Sequence, residues 1–140
     1  MIRESILAEL KRRFPAESYA IGDEGNTVAV FPAECPDVGN VTIWDDGDEA
    51  TILIENITHG HFNLYDDSLS ESERDKQITK EVCDFLEGLF LNKVLLWRSE
   101  RSGGWRNAPD GVKPEWLKNP GEYFLWSGRH KTVASGQPKN

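Results

Sequence analysis

The stretch from Ser70 to Arg98 constrains this chain more than any other, because it reads as one amphipathic helix running straight into one apolar strand. Ile78, Val82, Phe85, Leu86, Leu89 and Phe90 recur at intervals of three and four. At about 100° per residue they share one stripe, with Lys76, Lys80, Asp84 and Glu87 outside it. Such a stripe requires a sheet to cover. Val94-Leu95-Leu96-Trp97 is apolar at four consecutive positions, which predicts a strand buried on both faces or lying near a sheet centre. Two capping boxes fit the helix start equally well, Ser70 with Glu73 and Ser68 with Glu71. Gly88 lies off the stripe, where it costs up to about 1 kcal/mol relative to Ala, so a close neighbouring backbone is expected there.

Upstream, Ile2, Ile6, Leu7, Leu10 and Phe14 mark a first amphipathic helix, with Lys11, Arg12 and Arg13 in its last turn and Pro15 as its stop. Ser18 to Ile21 and Thr27 to Phe31 flank a cluster of turn formers at 22–26, which predicts a hairpin. Two prolines make residues 32–40 a loop. Val41 to Trp44 and Ala50 to Glu55 form a second hairpin around Asp45-Asp46-Gly47-Asp48-Glu49, and Ile57 to Leu64 continues after Asn56 as a further or bulged strand. Beyond Arg98, residues 99–121 carry Gly103-Gly104, Pro109, Gly111, Pro114 and Pro120, which predicts a long irregular loop. Tyr123 to Trp126 and Lys131 to Ala134 read as strands about a turn, and 135–140 as a frayed tail.

This element order predicts one α+β domain over residues 1–134. Its core is a mainly antiparallel, twisted sheet of about five to seven strands, with both helices, about 2–14 and 70–91, packed on one face. The 140 residues suffice for a core without staples, and no apolar run approaches the roughly 18 residues of a membrane span. Cys35 and Cys83 are too few for a disulfide framework and read as free thiols; with no secretory signal in the first residues, a cytoplasmic address is expected. Charge is uneven, about −13 over residues 1–92 and +5 over 93–140. The acidic majority argues against nucleic acid, whose affinity comes chiefly from phosphate neutralisation, and permits a protein partner with a basic surface.

The sharpest chemical cluster is Thr58-His59-Gly60-His61, since His59 and His61 project to one face of an extended chain, roughly 6–7 Å apart at Cα. Two imidazoles can share a divalent metal, but a site needs further ligands, for which Cys35, Asp66, Asp67 or His130 would have to converge. The acidic turn at 45–49 lacks the spacing of an EF-hand loop and reads as solvated. No nucleophile elbow, phosphate loop or dinucleotide fingerprint occurs. For recognition, Arg98, Arg101, Trp105 and Arg106 offer the residue types that dominate binding hot spots, and Trp105 is the least explained by packing.

Two classes of function follow. One is a non-catalytic protein-binding or accessory module, neutralising in the manner of immunity proteins, with no cofactor and neither nucleic acid nor membrane as partner. The other is a small metal-binding protein or hydrolase-type enzyme using His59 and His61 with nearby carboxylates.

Overall fold

A computed structural model describes residues 2–133, so the expected tail at 135–140 lies outside the described residues. Helix α1 (Ile2–Arg13) and a short 3-10 turn at Ala16–Ser18 precede five strands: β1 (Ala20–Ile21), β2 (Thr27–Phe31), β3 (Val41–Asp45), β4 (Glu49–Ile54) and β5 (Thr58–Asn63). Helix α2 (Glu71–Phe90) then leads into β6 (Val94–Arg98), β7 (Gly103–Asn107), a 3-10 turn at Pro114–Leu117, β8 (Gly121–Leu125) and β9 (Gly128–Val133). The α+β class and the antiparallel pairing are as expected. The strands, however, divide between two sheets rather than filling one: β1-β2-β3-β4-β5 is a five-stranded meander, and β7-β6-β8-β9 is a second, four-stranded sheet.

Helix α2 begins where Ser70 caps it, with the Ser70 hydroxyl accepting from the Glu73 amide and the Glu73 carboxylate accepting from the Ser70 amide, so the first of the two capping boxes is the one used. Its stripe buries Ile78, Val82, Phe85, Leu86 and Leu89 against Ile43, Ile52 and Ile54 of the first sheet and Ile6 and Leu10 of α1. Each such side chain contributes about 1.5–3 kcal/mol on burial. The two helices run parallel on that face. Thr79 donates to Ser5 at 2.8 Å near one end, and at the other Arg13 donates to Asp84 at 2.8 Å while the Phe14 and Phe90 rings lie 5.7 Å apart. Cys83 is buried in the same core, where lack of water pushes its thiol up to about 12 and keeps it protonated.

Strand β6 is flanked by β7 and β8 and buried on both faces, as its sequence predicts. Val94 and Leu96 join the main core, while Leu95 packs with Leu117 and Tyr123 in a satellite core that Trp97, Val112 and Trp116 partly cover. The expected loop at 99–121 is corrected by β7, which pairs with β6 from Val94↔Asn107 to Arg98↔Gly103. Glycine here signals close approach instead of a turn. A Cβ on Gly103 would collide with the Ile57 carbonyl, and one on Gly104 would come within 2.6 Å of the Trp97 ring. Gly60 of β5 belongs to the same junction, because a Cβ there would collide with the Trp105 ring.

Gly88 does the opposite of what its position suggests, since its nearest neighbour for a Cβ is a Val94 methyl at 3.7 Å, an ordinary contact. One substitution therefore has opposite signs at two glycines. Gly88→Ala raises the unfolding free energy by about 0.5–1 kcal/mol through helix propensity. Gly60→Ala lowers it by about 1–3 kcal/mol through overpacking against Trp105. Urea denaturation of the two variants checks both, and equal effects would refute the packing at the junction.

Candidate functional site

Both helices cover one face of the first sheet, and strand alternation decides what its other face shows. The registers Val30↔Thr42, Thr42↔Leu53 and Leu53↔His59 make one row across that outer face, and Trp44↔Thr51 with Thr51↔His61 makes the next. His59 and His61 thus share a face, as their spacing predicts, with ring centroids 5.3 Å apart at 81°. Together with Asn26, Trp44, Asp46, Thr51 and Leu53 they line an open cleft of about 550 Å³.

The floor of this cleft is a hydrogen-bonded relay. Thr51, only 2% exposed, donates its hydroxyl proton to the Asp46 carboxylate. Its oxygen lies 3.0 Å from His61 Nδ1. A hydroxyl has one proton, and a carboxylate only accepts, so Thr51 must receive the His61 Nδ1 proton. This fixes the neutral tautomer with Nδ1 protonated and leaves the Nε2 lone pair unspent. Thr51 is an orienting group here, not a nucleophile, because its own proton is already committed. Asn26 holds Asp46 from the other side at 2.9 Å, and Glu49 places a carboxylate oxygen 3.8 Å from His61 Nδ1.

Asp46, Glu49 and His61 each offer a donor atom within 4.8 Å of the others, which is the one His/Cys/Asp/Glu group of metal-binding geometry among the described residues. His59, expected to share the metal with His61, does not enter it, and neither do Cys35, Asp66, Asp67 and His130. Asp66 instead accepts from the Ser68 hydroxyl and amide, which hold its carboxyl below the usual range. The field at this hairpin is negative: the Glu49 carboxylate, then desolvation and Asp48, push the exposed Tyr65 phenol above its usual value. Asp46 and Glu49, expected in a solvated turn, are therefore the groups that meet His61.

The second set of predicted binding residues is not brought together. Trp105 is half-buried, its ring parallel to Phe62 at 6.2 Å and against Phe85 at 4.4 Å, over Gly60. Arg98 faces inward, donating to Glu122 at 3.0 Å and to the carbonyls of Asp37 and Asn56 at 3.0 and 3.2 Å, with its guanidinium 4.9 Å from the Phe124 ring. It joins the two sheets. Arg106, on the opposite face, stacks on Trp116 at 4.1 Å, and Arg101 is exposed in the turn before β7.

Comparison with protein-family models, curated proteins and solved structures finds no match. Among the described residues no helix is long and apolar enough to cross a membrane.

The relay carries a spectroscopic prediction. In long-range ¹⁵N–¹H spectra, neutral His61 shows the Nδ1-protonated pattern, and Thr51→Val shifts it toward the Nε2-protonated form that free imidazole favours. An unchanged pattern in the variant would mean that Thr51 does not hold the ring.

Proposed function

We propose that this protein is a non-catalytic binding module that docks a protein partner with a basic surface on the outer face of its first sheet. One observation carries the reading: with both helices on the inner face, the outer face leaves Trp44 and Leu53 half-buried at its centre, beside His59 and His61 and next to the acidic turn. A tryptophan in a polar rim is the composition of a binding hot spot. Asp46, Asp48 and Glu49 supply charge complementarity, which sets partner choice and on-rate more than affinity. An accessory or neutralising role, as an immunity protein has, suits such a surface. The partner belongs in the cytoplasm, where the free thiols of Cys35 and Cys83 stay reduced.

The test is affinity capture from the native host with wild type, Trp44→Ala and Asp46→Asn/Glu49→Gln, at low and moderate salt. A basic protein held by the wild type is expected to be lost with Trp44→Ala, by about tenfold or more in affinity. With the charge variant its association slows and loses salt dependence. Capture indifferent to both variants would refute the docking face.

The proximity of the Asp46, Glu49 and His61 donors favours a second reading, a divalent metal of the zinc class held by one nitrogen and two carboxylates. These three residues fit, but the Thr51 bond at Nδ1 competes with an ion on that atom. Titration of untagged protein with Zn²⁺ decides it. The metal reading requires one equivalent bound, a raised melting temperature and loss of both in His61→Ala; heat of binding that survives this substitution rejects it.

A further inference from the structure

At the far end of the helix pair lies a cavity of about 700 Å³ that the docking face does not use. Parallel packing makes it. Pro15 ends the segment that follows α1, and Leu91 caps α2 at the same level, so the carboxyl ends of both helices open on one space beside the end of β2 and the turn after β8. Its walls are the rings of Phe14, Phe31, Phe90 and Trp126, with Phe90 at the hub, 4.9 Å from Phe31, 5.1 Å from Trp126 and 5.7 Å from Phe14. Glu34 and Glu87 are the charged residues of the lining, which Pro15, Ser18, Pro32 and Leu91 complete.

Three features give this aromatic space one sign. Aromatic faces carry negative charge density, the carboxyl end of α2 has no basic residue in its last turn to offset the negative end of its macrodipole, as Lys11, Arg12 and Arg13 do for α1, and both charged residues of the lining are acidic. Arg12 and Arg13, at the end of α1, are already engaged. Arg13 donates to Glu9 at 2.6 Å and Asp84 at 2.8 Å and is ion-paired with Glu87 at 3.5 Å, while Arg12 is paired with Glu9 at 2.6 Å. Glu34 has no ion pair among the described residues. A neutral apolar ligand would gain nothing from this charge, and an anion would be repelled.

We propose that this cavity binds a small organic cation, an aromatic or alkyl ammonium whose charge rests against the half-buried Phe14 and Phe90 rings and is balanced by Glu34, with Glu87 shared between the ligand and Arg13. Its volume lies within the range of ordinary small-molecule sites, and ring-lined pockets are the usual solution for ammonium groups whose substituents prevent strong hydrogen bonds. The inference is independent of the docking face.

Calorimetric titration with benzyltrimethylammonium, benzyl alcohol and phenylacetate at about 0.15 M salt tests it, since non-specific attraction to an acidic protein is largely screened there. The ammonium ion is expected to saturate one site about tenfold more tightly than the alcohol, with no binding of the carboxylate. Leu91→Arg places a cation at the mouth, where Leu91 is 64% exposed and its replacement leaves the core intact. It should abolish binding, whereas Gln77→Arg, the same charge change elsewhere on α2, should not. Glu34→Gln/Glu87→Gln should weaken binding several-fold. Equal affinity for the alcohol, binding that survives Leu91→Arg, or a wild-type dimer that Leu91→Arg dissociates would each overturn the proposal, the last by showing that a second copy fills the cavity.

Discussion

Burial of the α2 stripe is the constraint on which the rest of this molecule depends. A helix with Ile78, Val82, Phe85, Leu86 and Leu89 on one side must lie on an apolar surface, and the alternation of Ala50, Ile52 and Ile54 provides it on one face of β4. Once α2 and its parallel partner α1 occupy that face, no helix among the described residues is left for the other. The outer face is left to water, and its side chains are a mixture: threonines and histidines with half-buried Val30, Trp44 and Leu53 among them. The candidate docking surface is thus the complement of the core, produced by the same period-two alternation.

Electrostatics fixes how α1 lies on α2. Glu9 accepts from both Arg12 and Arg13, and these hydrogen bonds hold its carboxyl down to about 2 despite some desolvation. Arg13 also donates across to Asp84, whose carboxyl is lowered first by Lys80 and then by Arg13. An isolated surface pair is worth little, but a network spanning two elements, with Arg13 only 11% exposed, sets their relative position. Below the ordinary carboxylate range, as pH falls toward 2, Glu9 protonates and this registration weakens. The parallel arrangement in turn leaves both helix carboxyl ends at one place, and the aromatic cavity exists for that reason.

Much of this was legible in the sequence. The α2 stripe, its Ser70 cap, the two-sided burial of β6 and the shared face of His59 and His61 all follow from periodicity and capping chemistry. Strand β7 was not, because Gly103-Gly104 erase the alternation that marks a strand, and their reason lies in contacts with Ile57 and Trp97 far away in sequence. Trp105 misled for a related cause: an aromatic between glycine and arginine looks exposed until the facing Gly60 is found beneath it. The partners of His61 were nearer to hand. A three-residue turn at 55–57 sets His61 opposite Thr51 and Asn63 opposite Glu49, and the preceding hairpin sets Thr51 opposite Trp44. Register arithmetic from those turns would have assembled the cleft, whereas the bond from Thr51 to Asp46 depends on a rotamer and a turn geometry that no spacing encodes.

The junction at Gly60 joins the fold to the site. Strand β5 is an edge strand of the first sheet, hydrogen-bonded only to β4, and an edge strand carrying exposed histidines would be expected to fray. Trp105 prevents this by seating its ring in the space that glycine leaves, on the inner face of the residue that separates the two histidines, with Phe62 and Phe85 beside it. The second sheet therefore acts as a clamp on the back of β5, and Arg98 reinforces it by binding the carbonyl of Asn56 in the turn before that strand. Residues that looked like a separate recognition surface, Arg98 and Trp105, are what hold His59 and His61 at a fixed angle to the acidic turn. On this argument the basic final third of the chain lends rigidity to the acidic face, and a strand exposed at its edge becomes precise enough to present a relay from Asp46 through Thr51 to His61.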